Sequence, residues 1–180
     1  PVEDPVRRAL VRDDDGRVVF VRGGLPGEDV TVEVVEAKHD WQRGVVVEVH
    51  EASPDRVEPP CPRRHEGCGG CDWQHVAISA QMDAKVQIVI DALARTAKLA
   101  NPAVTAGGSV PEWAYRTTIR VVGDAEGRAS YRAERSNEPV SASGCLVAHP
   151  ALAALLDDLR ITPGLEVTLR VSVASGEMTA

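Results

Sequence analysis

Aromatic side chains are scarce in this chain: one Phe, two Tyr and three Trp make up 3% of 180 residues. Its cores must therefore be built from Val, Leu, Ile and Ala. Lysine is nearly missing too, because Lys38, Lys85 and Lys98 are the only lysines among 20 basic side chains. That arginine bias fits RNA binding and a compositional bias of the source genome equally well. No apolar run approaches the ~20 residues needed to span a bilayer, so a membrane partner is not expected. The opening PVEDPVRRAL shows no signal-peptide pattern. Excess positive charge is also lacking. The net charge of −7 argues against an indiscriminate polyanion binder. The deficit is concentrated in residues 1–60, with 8 basic and 14 acidic side chains, whereas residues 61–100 carry 5 and 4. The middle of the chain is thus the least repulsive to a phosphate backbone. No G-x-G-x-x-G loop, internal repeat or low-complexity tract is present.

What the chain does have is CPRRHEGCGGCDWQH, residues 61–75, with Cys61, Cys68 and Cys71, followed far downstream by Cys145. Four cysteines in this arrangement do not make a disulfide-dense scaffold, and thiolates at metal spacing point to a reducing cytoplasm. Four thiolates complete a tetrahedral zinc site or hold a [4Fe–4S] cubane. Zinc sites more often use two close pairs, so three ligands from one loop and one from afar favours iron–sulfur. Zinc stays open as the alternative. Gly67, Gly69 and Gly70 allow tight turns that bring backbone N–H groups near sulfur. Pro59, Pro60 and Pro62 stiffen the approach. Arg63 and Arg64 suit the 2− formal charge of a four-thiolate cubane.

Taken in order, residues 17–22, 30–36 and 41–51 read as short strands, with Val30, Val32 and Val34 on one face and Gly44 as a bulge or bend. They suit a small OB-like β-barrel, either an oligonucleotide binder or a purely structural module. Residues 51–60 form a proline-rich connector. Ile78, Met82, Val86, Val89, Ile90, Leu93 and Ala97 recur at helical spacing, predicting an amphipathic helix over 77–99. Gln81, Lys85 and Arg95 are assigned to its solvated face. Residues 113–122 and 128–134 predict a hairpin on which Arg116, Arg120, Arg132 and Arg135 share a surface able to meet RNA phosphates. Ordinary solvated arginines are the competing reading. A helix is expected over 151–161, with His149 a hydrogen-bonded structural residue. A strand is expected over 165–174, with Leu165, Val167, Leu169, Val171 and Val173 facing in. The turn at 175–177 starts a hairpin whose return is cut short, the pattern of a truncated chain. The fold class is α+β and β-rich: an OB-like barrel over 1–56, then a small central domain over 57–180 with the four-cysteine site.

FVRGGLPGE, SPDRVEPPCP, CGGCDWQH, YRTTIR and CLVAHP, in this order, resemble the N-terminal half of the iron–sulfur-containing RNA (uracil-5-)-methyltransferases. The resemblance implies that the barrel is a TRAM domain and that Cys61, Cys68, Cys71 and Cys145 hold a [4Fe–4S] cluster. It implies structured RNA, ribosomal or transfer, as partner, and S-adenosylmethionine as the methyl donor bound by a further catalytic domain. In that family a cysteine attacks C6 of the uracil, and a general base later removes the C5 proton. No cysteine here is spare for that role, so these 180 residues are expected to be inactive alone and to contribute RNA recognition as a cytoplasmic monomer. The alternative is a free-standing RNA-binding module stabilised by zinc or a cluster.

Overall fold

The computed structural model describes residues 9–13 and 15–180; residues 1–8 and 14 of the expected barrel lie outside the described residues. In chain order the elements are β1 (Ala9–Arg12), β2 (Val18–Arg22), β3 (Asp29–Ala37), β4 (Trp41–Glu51), α1 (Pro62–His65), α2 (Ile78–Thr96), β5 (Thr118–Gly123), β6 (Ala129–Arg132), β7 (Pro139–Ser141), α3 (Pro150–Asp158), β8 (Glu166–Val171) and β9 (Met178–Thr179). The fold is α+β and β-rich, as the sequence predicts. The described residues up to Glu58 group with Trp73–Gly107 in one compact unit, and Pro59–Asp72 groups with Gly108–Ala180 in a second. Helix α2, expected alongside the cysteine loop, thus travels with the barrel strands.

In the first unit the sheet order is β1-β2-β4-β3. β1 and β2 form a hairpin, β2 then pairs parallel with β4, and β3 lies antiparallel to β4. Asp13 organises the first turn by accepting from the Arg17 backbone N–H and Nε, each at 2.8 Å, while Gln42 Nε2 of β4 donates to it at 3.0 Å. Burial pushes the Asp13 carboxyl up, but these donors and the Arg17 charge more than offset it, and the net direction is down. Gly44 is not itself bulged. It pairs with Val21 on one side and Val34 on the other, and a Cβ there would sit 2.2 Å from Val32 Cγ1. The extra residue is opposite, on β3, where the register jumps between Val34 and Glu36. Val30 and Val32 are half-buried, whereas Val34 is exposed to solvent.

A buried ion pair closes this unit. Glu28, whose side chain is 1% exposed, accepts from Arg56 Nε on Oε1 and from Arg56 Nη2 at 2.6 Å on Oε2. The same carboxylate takes the backbone N–H groups of Leu25 at 2.8 Å and Ser53 at 3.2 Å, and Arg56 Nη2 also reaches the Gly23 carbonyl. Helix α2 has no fully buried residue, with Ile78 and Val89 about half exposed. Gln81 does not simply face water. Its Nε2 donates to the carbonyls of Trp73 at 3.1 Å and Val76 at 2.9 Å. One turn on, Lys85 Nζ lies 5.7 Å from the Trp73 ring centroid.

In the second unit the sheet order is β7-β6-β5-β8-β9, all antiparallel. Alternation on β5 places Ile119 and Val121 in the core and Thr118 and Arg120 outside. On α3, Leu152 and Leu156 are one helical turn apart and pack with Ile119, Val121 and Leu169. His149 caps α3, its Nδ1 accepting from the Ala151 backbone N–H at 3.3 Å, in keeping with a structural histidine. The strand expected from residue 113 begins only at Thr118, because Ala114 has φ +58° and Arg116 instead makes an isolated parallel bridge to Ala148. β8 is likewise shorter than expected: Leu165 and Val173 lie beyond its ends and are exposed.

Candidate functional site

All four cysteines fall in the second unit, and none is joined to another by a disulfide. Cys61 is buried and precedes the single helical turn α1, which has Pro62 at its start. The chain then turns back on itself. The Cys68 backbone N–H donates to Arg63 O at 2.9 Å, and Gly67 adopts φ +88°, a conformation that suits glycine. The loop is laced to the end of β6 by a bridge between Cys68 and Ala133 and by Glu134 N–H donating to Gly67 O at 2.9 Å. Gly69 must be small there, since a Cβ would come within 3.1 Å of Glu134 Cα.

The arginines around the loop hold backbone. Arg64 Nη1 donates to Cys68 O at 3.3 Å and lies 3.6 Å from Glu134. Arg63 Nε reaches Ser143 O at 3.4 Å, two residues before Cys145. Arg116, expected on the RNA face, is part-buried instead, its Nη2 donating to Gly70 O at 3.1 Å. Arg63 and Arg64, expected as charge partners, therefore also fix the loop's path. Burial pushes the Cys68 thiol up, the Gly70 backbone opposes this, the nearby Cys145 and Cys61 push it up further, and Arg64 opposes them.

The donor set suits a thiophilic metal centre in its chemistry. A Cβ on Gly70 would stand 3.5 Å from Cys68 Sγ, so the loop lies close against the sulfur. The Tyr131 hydroxyl beside Cys145 is enclosed yet makes no well-formed hydrogen bond. Among the described residues, however, no three His, Cys, Asp or Glu side chains are grouped so that they could hold a metal ion. The chemistry of the residues fits the group; their placement does not.

On the outward face of the sheet, Arg120 of β5 and Arg132 of β6 share one carboxylate, Glu166 of β8, at 3.6 and 3.7 Å. Arg120 is 70% exposed and Arg132 41%. Arg135 is exposed in the following turn, at φ +56°. Two of the four expected arginines thus share a patch, Arg135 follows in the next turn, and the fourth is tied into the cysteine loop. Sequence reasoning missed Tyr131; a tyrosine one residue after a buried serine carries no signal by itself. The first unit has a cleft of about 690 Å³ between the 25–26 and 53–55 loops and α2. Asp55, Asp83 and Asp91 line it against Arg95 alone, a balance that disfavours phosphate. Among the described residues no helix is long and apolar enough to cross a membrane.

Residues 9–47, from β1 into the middle of β4, match the TRAM domain. The first unit therefore makes this a TRAM-domain protein. The chain is 41% identical over 138 residues to an RNA methyltransferase of Corynebacterium efficiens, a match covering 76% of this chain and 33% of the relative. It is 38% identical over 156 residues to a 23S rRNA (uracil(1939)-C(5))-methyltransferase of Halomonas elongata, covering 85% and 32%. The tRNA (uracil-54, C5)-methyltransferase of Pyrococcus abyssi, solved with S-adenosyl-L-homocysteine, superposes with a TM-score of 0.55 over 95% of this chain and 44% of that one. Identity there is 20%, so this likeness speaks to the fold alone. The chain belongs to the TRAM-domain RNA (uracil-5-)-methyltransferase family. It spans about a third of the length of the curated relatives it matches.

Proposed function

We propose that this chain is the RNA-recognition portion of an S-adenosylmethionine-dependent RNA uridine-C5 methyltransferase, with Cys61, Cys68, Cys71 and Cys145 holding a [4Fe–4S] cluster. The observation that supports the reading is that Arg63 Nε, in the cysteine loop, reaches the carbonyl of Ser143, two residues before Cys145, in the same unit as an exposed arginine patch. Bound there, the cluster would supply a cross-link between the two segments. Arg63, Arg64 and Arg116 hold the loop in register through Ser143 O, Cys68 O and Gly70 O. Arg120, Arg132 and Arg135 offer guanidinium groups to phosphates of folded RNA.

Protein purified without oxygen is expected to contain iron and inorganic sulfide; equimolar zinc with neither would overturn the iron assignment. Cys145→Ser is expected to lower the metal content and the thermal stability of the second unit, both read on the same preparation. Against a structured uridine-containing rRNA hairpin, Arg120→Ala and Arg132→Ala should each weaken binding across sequences and reduce the salt slope by about one. A slope unchanged in both variants would remove this face from the RNA contact.

A further inference from the structure

The five strands β5 to β9 contain four charged residues, Arg120, Arg132, Arg170 and Glu166, and all four are exposed. Three positive charges against one negative make this sheet basic in a chain whose net charge is −7. Strand pairing fixes the arrangement. Arg120 stands opposite Thr168 and Thr118 opposite Arg170, so Arg120 and Arg170 are diagonal neighbours on one face, about 7–8 Å apart. Glu166 lies on the same face: its Oε1 turns to Arg120 Nε at 3.6 Å and its Oε2 to Arg132 Nε at 3.7 Å. Each oxygen faces one guanidinium, as two oxygens of a phosphate would. Both distances are longer than a hydrogen bond and both pairs are open to water, so the carboxylate is held loosely. Arg170, by contrast, has no ion pair or side-chain hydrogen bond among the described residues.

We propose that this face is a two-phosphate site for an RNA backbone: one phosphate meets Arg170, and a second replaces the Glu166 carboxylate between Arg120 and Arg132. This rests on the reading that the arginine face meets RNA. A phosphate accepts from both guanidinium groups as the carboxylate does, so the pair loses little when Glu166 gives way. Glu166 is thereby an internal competitor. It keeps the two arginines together in the free protein and weakens binding because it has to be displaced. Arg170 has no such competitor and brings its full charge to the contact. Thr118 opposite it and Thr168 two residues before it place hydroxyls on the same face, groups that also bond phosphate oxygens.

The test measures binding of these 180 residues to the rRNA hairpin used for Arg120→Ala and Arg132→Ala, across a salt series. Arg170→Ala should weaken binding and reduce the salt slope by about one, the loss of one phosphate contact. Glu166→Gln should tighten binding about 5-fold, the scale of two exposed ion pairs that no longer have to be given up. Glu126→Gln removes an exposed acid that pairs with Arg128 outside the sheet, and it should tighten binding far less. In a protein carrying Arg120→Ala and Arg132→Ala together, Glu166→Gln should lose its effect, because no guanidinium pair remains for it to release. An unaltered slope in Arg170→Ala overturns the inference. Equal tightening by Glu166→Gln and Glu126→Gln also overturns it, as does a tightening that survives without the two arginines. Each of these results leaves RNA binding through Arg120 and Arg132 standing. If the substitutions of those two arginines themselves leave the slope unchanged, the underlying reading falls, and the inference with it.

Discussion

Glu28→Ala is expected to destabilise the first unit by about 3–5 kcal/mol, the usual cost of stripping one partner from a buried ion pair. The carboxylate gathers four donors: two from Arg56 and the backbone N–H groups of Leu25 and Ser53. Removing it takes the acceptor from all four, leaving Arg56 Nη2 with the Gly23 carbonyl alone, at a site where the Glu28 side chain is 1% exposed. It also unfastens the 23–28 turn from the segment that follows β4. Urea unfolding followed through Trp41 and Trp73 would read the loss. Replacing Arg56 with alanine in the same chain should recover part of it, since the buried guanidinium is then no longer left alone. Burial pushes the Glu28 carboxyl up, but the Arg56 hydrogen bonds, the two backbone donors and the Arg56 charge prevail, and its pKa lies below the ordinary glutamate value. A depressed acid stabilises the fold above its unfolded pKa and loses that contribution as the pH falls toward the folded value. The gap between wild type and Glu28→Gln should therefore be full at neutral pH and shrink below about pH 4. A gap constant down to pH 3 would show that charge is not what holds the turn.

The second large effect is expected at Gly123, in the other unit. A Cβ there would stand 2.5 Å from the Thr162 carbonyl oxygen and 2.6 Å from that of Ile161. Both obstacles are backbone, so no rotamer change relieves them. The crossing is further pinned by Gly123 N–H donating to Leu165 O at 3.1 Å and Gly164 N–H donating to Gly123 O at 2.9 Å. Gly123→Ala should cost about 3 kcal/mol, the upper end for overpacking a closed core. Gly108→Ala is the matched control in the same unit, because nothing lies within 4 Å of its Cβ and its φ is not positive. Chemical denaturation followed through Trp113 separates the two outcomes. An equal effect of both substitutions would mean the close approach is not rigid.

These two sites also mark where sequence reading stops. Local periodicity was enough for β2, β4, α2 and the core face of β5, because each pattern depends only on neighbours in the chain. Glu28 and Arg56 are 28 positions apart and sit in turn and linker sequence with no repeating pattern. The parallel pairing of β2 with β4 was equally invisible, since short strands joined by turns favour antiparallel neighbours. The four cysteines were legible as a group because thiol spacing is itself a chemical signal. Arg116 and Gln81 were read as outward-facing from alternation and helix phase, and each instead turns to bond a carbonyl. Long polar side chains are free to make that choice, and the pattern of their neighbours does not decide it.

The three register breaks between β3 and β4 bear on how the protein survives at high concentration. β3 is the outermost strand on its side of the four-stranded sheet, and Val34 and Val35 face water there. A straight, valine-rich outer strand would offer another chain a regular ladder of unpaired amides, the usual seed of edge-to-edge aggregation. The extra residue Val35 interrupts that ladder on β3 itself, and the extra residues His50 and Val47 on β4 bend the pair twice more within nine residues of β3. An edge bent in this way is a poor template for a neighbouring molecule.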